Sequence, residues 1–173
     1  MLISKFNFMD NNTINNLLPE TLKILRDLIS FKTISGENNL KFIDYCEKKL
    51  TLLGAKTIKT YNSKKTQANL FSTIGKDNGK GIILSGHSDV VPAISSDWSS
   101  DPFVARDSGN KIFGRGTSDM KGFIACTLAV APLFADEKLS LPIHFSYTFD
   151  EETGCLGAPL VLADLKKRNI SFS

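Results

Sequence analysis

Residues 82–89 read Ile82-Ile83-Leu84-Ser85-Gly86-His87-Ser88-Asp89, an apolar run that passes through a glycine into a histidine and a carboxylate. The run predicts a strand over 81–86, with the polar pair placed where the strand gives way to loop. The same design recurs twice. A short strand predicted at 111–113 leads into Gly114-Arg115-Gly116-Thr117-Ser118-Asp119, and a β-rich alternating stretch at 142–149 leads into Asp150-Glu151-Glu152-Thr153-Gly154. Ligands gather at the ends of strands in α/β sheets. If the three strands are neighbours pointing the same way, one histidine and several carboxylates meet.

Outward from these clusters the chain alternates helix and strand. Pro19 and Glu20 suit a helix start, and Leu22, Leu25, Leu28 and Ile29 mark one helical face. Ser35-Gly36-Glu37-Asn38-Asn39 reads as a polar turn. Ile43, Cys46, Leu50 and Leu53 repeat at helical spacing, with Gly54 where a C-terminal cap belongs. Extended segments follow at about 56–61 and 69–75, and Asp77-Asn78-Gly79 signals a hairpin between the second of these and 81–86. Residues 87–110 read as loop, 119–135 as a mostly apolar helix and 154–167 as another helix. The class is α/β, with a mixed sheet and flanking helices. Residues 1–18 are read as a loose lead-in, and 19–173 as one domain.

Composition narrows the function. The chain has 173 residues, 42% hydrophobic and 23% charged, as in ordinary globular domains. No stretch is read as a membrane span, which needs about 20 apolar residues. The formal charge is only +3 and has no basic face, so no nucleic-acid partner is expected. Cys46, Cys126 and Cys155 are odd in number and far apart, which fits free thiols in the cytoplasm. No GxSxG nucleophile elbow is present. Residues 75–80 lack the full phosphate-loop pattern. Asp119 stands where a dinucleotide loop would need its third glycine.

The three clusters suit a metal hydrolase. Imidazole and carboxylate ligate zinc, and a neighbouring carboxylate can accept a proton from water. His87 and Asp89 fall on one strand face, so the carboxylate can hold the second imidazole nitrogen. A strand-end turn would bring both Glu151 and Glu152 to one site. Taken singly, each piece has a plainer reading. Asp119 suits a helix N-cap, Glu151-Glu152 a solvated helix start and Arg115 a surface ion pair. Cys126 and Cys155 suit packing, Trp98 a loop anchor and His144 a core or surface residue.

Read together, Gly86-His87-Ser88-Asp89-Val90-Val91-Pro92, Trp98-Ser99-Ser100-Asp101-Pro102-Phe103, the run 114–123 and the run 150–158 make the chain resemble the M20 family of zinc-dependent amidohydrolases and exopeptidases. The resemblance covers about residues 20–170. The Trp98 loop and Gly154-Cys155-Leu156-Gly157-Ala158 lean toward members that deacetylate acetylornithine. The resemblance implies an M20-type α/β catalytic domain. It implies that His87 and Glu152 each ligate one metal, that Asp119 bridges two, that Glu151 is the general base, that Asp89 orients His87, and that the Asp119–Met120 peptide is cis. Zn2+ is the expected metal, two ions in a complete enzyme, and Co2+ or Mn2+ would suit similar ligands. The implied substrate is a small acylated amino acid: acetylornithine would give ornithine and acetate in arginine biosynthesis. Succinyl-diaminopimelate desuccinylase, a dipeptidase of the same family and a non-catalytic remnant are the alternatives. Family members run longer. The inserted lid and dimerisation domain, a Glu-Pro segment and a late histidine have no counterpart here. The chain is therefore expected to be an incomplete domain, inactive and marginally soluble alone, with a homodimer expected only of a full-length enzyme.

Overall fold

A computed structural model describes residues 11–76, 81–168 and 170. Four helices and six strands are described: α1 (Asn11–Ser30), α2 (Leu40–Thr51), β1 (Lys56–Tyr61), β2 (Ala68–Ile74), β3 (Ile82–His87), β4 (Arg106–Ser108), β5 (Lys111–Phe113), α3 (Gly122–Asp136), β6 (Ile143–Thr148) and α4 (Gly157–Lys167). The main sheet runs β1-β2-β6-β3. β1, β2 and β6 pair antiparallel, and β3 joins β6 in parallel, so the sheet is mixed as expected.

The reason it is mixed differs from the sequence reading. β2 and β3 do not form a hairpin, because β6 lies between them. The turn residues 77–79 lie outside the described residues. The antiparallel hairpin is β1–β2. The long loop also holds more structure than expected, since Arg106–Ser108 pairs with Lys111–Phe113 in a small ribbon.

One face of the sheet carries the main core. Ile24, Leu25, Leu28 and Ile29 of α1, Phe42, Ile43, Cys46 and Leu50 of α2, and Ile124, Ala125 and Leu128 of α3 pack there with Leu70, Phe145 and Tyr147. Each fully buried side chain of this size contributes about 1.5–3 kcal/mol. On the other face α4 packs over β1, β2 and β6, with Val161 and Leu165 against Phe71, and leaves Ile83 of β3 exposed. α1 begins at Asn11 rather than at Pro19, so residues 11–18 are helix and not lead-in. Pro19 removes one backbone donor, and the Thr21 hydroxyl donates to the Leu17 carbonyl at 2.9 Å. Residues 1–10 lie outside the described residues.

The stretch Thr117–Asp136 is long and apolar enough to cross a membrane, with a mean hydropathy of 1.3, against the expectation of no such stretch. Most of it is α3, the core helix of the domain: Ile124, Ala125, Leu128, Ala129 and Ala131 are buried against α1 and α2.

Parallel pairing of β3 with β6 sets up the site. His87 is in register with Thr148, so both strands end together and their following loops leave side by side.

Candidate metal centre

Three arms meet at this edge. The first is His87-Ser88-Asp89. Ser88 is buried and locks the exit from β3, its backbone N–H donating to Thr148 O at 2.7 Å and its hydroxyl to the same oxygen at 2.8 Å. The second is Asp150-Glu151-Glu152. Asp150 adopts a left-handed backbone, φ 52°, which Asp tolerates better than most residues. The third is a wide turn, Thr117–Lys121, entered through Gly116 at φ 83°. A side chain at Gly116 would stand 2.8 Å from Val90 Cγ1, so only glycine fits there.

That turn corrects one plainer reading. Asp119 is not a helix cap: its backbone is non-helical, and α3 begins beyond it at Gly122. The Asp119–Met120 peptide is cis, as the resemblance implied. Nor do Glu151 and Glu152 start a helix, since α4 begins at Gly157 and not at Gly154.

The candidate ligand atoms of His87, Asp119 and Glu152 all lie within 4.8 Å of one another. His87 Nε2 stands 3.0 Å from an Asp119 oxygen and 3.7 Å from a Glu151 oxygen. His87 is buried, whereas the Asp119 side chain is 73% exposed, so the cluster opens to solvent on that side. His87 Nδ1 donates to the Asp89 backbone carbonyl at 2.9 Å and lies 3.5 Å from its carboxylate. The expected carboxylate–imidazole contact is therefore present, though the backbone oxygen is the nearer partner. This leaves Nε2 facing the two carboxylates, as a ligating histidine requires.

Asp89 also holds the glutamate arm. Its carboxylate accepts from Glu151 N at 3.0 Å, Glu152 N at 3.3 Å and the Ser35 hydroxyl at 2.7 Å. Burial opposes its charge, but His87 and these donors prevail and hold it below the usual carboxylate range. Burial likewise opposes charge on His87, yet Asp89 and Asp119 outweigh it and raise the imidazole to about 9. Glu152 is pushed up, first by burial and then by Asp119, with His87 acting against the rise. The shifts on His87 and Glu152 both favour the protonated form, and a divalent cation at this cluster would compete with those protons. The donor set fits zinc by chemistry, with nitrogen and carboxylate oxygen and no thiolate among the three.

The other singled-out residues divide. His144 is buried in β6, with Nδ1 2.9 Å from the Thr73 hydroxyl and its ring stacked on Phe71, away from the cluster. Arg115 stacks its guanidinium 5.2 Å over Trp98 and donates to Pro92 O, so Trp98 does anchor its loop. Cys126 and Cys155 are exposed rather than packed, and only Cys46 is buried. Sequence reading missed Ser35 and Lys121. Lys121 is fully buried, with Nζ donating to Phe31 O at 2.7 Å, and burial lowers its pKa to about 7. A lysine directly preceding an almost wholly apolar helix was the signal available.

Known proteins resemble this chain in sequence and in fold. Residues 83–172 match the model of Peptidase family M20/M25/M40. The acetylornithine deacetylase of Buchnera aphidicola subsp. Acyrthosiphon pisum (strain Tuc7) is 35% identical over 148 residues, 82% of this chain. The chain spans 38% of the length of that relative. Human carnosine dipeptidase 1 superposes with a TM-score of 0.76 at 23% identity, over 91% of this chain and 37% of its own. An M20 family metallo-carboxypeptidase from Sulfolobus solfataricus gives 0.73 at 24% identity, over 86% of this chain and 35% of its own.

Proposed function

The chain belongs to peptidase family M20/M25/M40, and from that premise we propose that it carries the metal-binding and general-base part of an amidohydrolase that converts acetylornithine to ornithine and acetate. The observation that carries the reading is the meeting of His87, Asp119 and Glu152 within 4.8 Å, with Glu151 beside them. The substrate rests on the relatives named acetylornithine deacetylase, 32–35% identical over 82% of the chain.

His87, Asp119 and Glu152 would hold the metal, zinc by donor type, and Asp119 would serve both ions where two are held. The metal, when bound, polarises the amide carbonyl and acidifies water. Asp89 keeps the His87 ring turned so that Nε2 faces the cluster. Glu151, 44% exposed and 3.7 Å from that nitrogen, accepts a proton from the attacking water. The water oxygen bonds to the acetyl carbon, the carbon–nitrogen bond breaks, and Glu151 returns the proton to the departing amine of ornithine. The reaction belongs to arginine biosynthesis. A cytoplasmic setting accords with the exposed free thiols of Cys126 and Cys155.

The test is acetate release from acetylornithine by the polypeptide carrying this sequence, purified from its own host. Turnover should be abolished by a chelator, restored by zinc, and lost in Glu151→Gln. Preference for succinyl-diaminopimelate or a dipeptide would overturn the substrate. Absence of any metal-dependent hydrolysis would overturn the enzyme reading.

A further inference from the structure

Residues 31–39 connect α1 to α2, a link that in most helical pairs is a solvated turn. Here it is rich in buried polar groups: Thr33 and Asn39 are each 2% exposed. Buried polar groups need partners, and the partners lie on the arms of the metal centre.

The histidine arm is held most fully. The Thr33 hydroxyl donates to Ser88 O at 2.6 Å, and Asn39 Nδ2 donates to the Ser88 hydroxyl at 2.9 Å. Val90 N donates to Thr33 O and Ser35 N to Val90 O, which makes Ile34 and Val90 a one-rung parallel bridge. Ser35 Oγ reaches the Asp89 carboxylate at 2.7 Å. The Val90 carbonyl is 3.4 Å away, so the single hydroxyl proton goes to Asp89. The glutamate arm is held by Gly36, whose N–H donates to Asp150 at 2.7 Å from a left-handed backbone, φ 83°. The same Asp150 oxygen accepts from Gln67, which fixes the residue just before Glu151 and Glu152.

The aspartate arm is held by Phe31. Its carbonyl accepts from Lys121 Nζ, which also stands 5.6 Å from the centre of the Phe42 ring. α1 has no basic residue in its own last turn. Lys121 Nζ instead satisfies the carbonyl just beyond the C-terminal end of that helix, and its stem packs against Gly116 at the entry to the Asp119 turn.

One nine-residue connection therefore touches all three arms, each time at a residue within three positions of a candidate ligand. We propose that residues 31–39 are a positioning bracket for the metal centre. Through Asp89, Asp150 and Lys121 they set how His87, Glu152 and Asp119 stand relative to one another, a role that rests on the metal-centre reading above. Ser35 is the positioning residue with the most direct test, because its hydroxyl bonds the one carboxylate that joins two arms.

The experiment titrates the chain with zinc by calorimetry and records the visible spectrum of its cobalt(II) form, for wild type, Ser35→Ala, Ser35→Thr and Ser30→Ala. Ser35→Ala should weaken zinc by about 10–100-fold, the usual effect of losing support behind a ligand. It should also alter the cobalt bands, which report ligand geometry and not stability. Ser35→Thr keeps the hydroxyl and should restore both readouts. Ser30→Ala removes a hydroxyl bonded only to Asp27 O within α1 and should change neither. If Ser35→Ala does not fold, Ser35→Cys keeps the volume, weakens the donor and should shift both readouts in the same direction. Wild-type binding with no change in Ser35→Ala would overturn the bracket alone. Failure of the wild-type chain to bind either metal would overturn the metal-centre reading and the bracket with it.

Discussion

Replacing Asp89 by alanine removes the group on which two arms depend. Its side chain is 2% exposed and accepts from Ser35 Oγ, Glu151 N and Glu152 N at 2.7, 3.0 and 3.3 Å. Hydrogen bonds to an ionised acceptor contribute about 1.5–3 kcal/mol each, so simple addition gives about 5–9 kcal/mol. Two effects reduce that sum. Glu151 is 44% exposed, so water can reach the freed backbone donors of the glutamate turn, and the desolvation cost of the carboxylate disappears with it. A net loss of about 3–5 kcal/mol remains. With a urea slope of about 2 kcal/mol per molar, the unfolding midpoint should fall by about 2 M. Zinc affinity should fall by about 10–100-fold, because the turn carrying Glu152 and the support behind His87 are lost together. Circular dichroism across a urea series, run with a chelator present, measures the first quantity, and zinc calorimetry measures the second. A midpoint shift under about 0.5 M, together with unchanged zinc affinity, would refute the reasoning.

Other outcomes follow from the same structure. Gly116→Ala forces a Cβ into a left-handed backbone and to 2.8 Å from Val90 Cγ1. Left-handed strain of about 1–2 kcal/mol plus overpacking of about 1–3 kcal/mol should lower the melting midpoint by about 5–15 °C in a thermal scan. Zinc at a hundredfold excess over its dissociation constant should stabilise the chain by about 2.7 kcal/mol in calorimetric melts, and a chelator should remove all of it. Asp164 accepts from the Thr60 hydroxyl at 2.8 Å and from Arg168, and these partners, the hydroxyl foremost, hold its pKa below the usual value. A depressed carboxylate stabilises the fold above its unfolded pKa, and that contribution is lost as pH falls through the folded value. Asp164→Asn should therefore cost at most about 1 kcal/mol at neutral pH. Denaturation at acid pH should show the gap to wild type closing.

The strand-end motifs were legible because each joins an apolar run to a polar triplet, and the parallel pairing of β3 with β6 brings the first and third together. Periodicity found α2 and its buried Ile43, Cys46 and Leu50. It misplaced the start of α1, because asparagine-rich residues 11–16 carry no apolar stripe and Pro19 imitates a helix start. Strand order was not legible: local turn chemistry at 77–79 favours a hairpin, while insertion of β6 between β2 and β3 is a tertiary choice made by burying Phe145 and Tyr147. The bracket was hidden for a similar reason. Ser35 and Gly36 look like any polar turn until the fold lays them against Asp89 and Asp150. Cys126 looked like core because α3 is apolar almost all round, yet one side of that helix faces out and carries it.

The most direct test of the metal centre is a crystal structure of the zinc-loaded chain with anomalous data at the zinc edge. An anomalous peak should be bonded to His87 Nε2 at about 2.0–2.1 Å, with Asp119 and Glu152 oxygens at about 2.0–2.2 Å. His87 Nδ1 should still donate to Asp89. A peak at His144 or at a cysteine, with none between His87, Asp119 and Glu152, would contradict this placement.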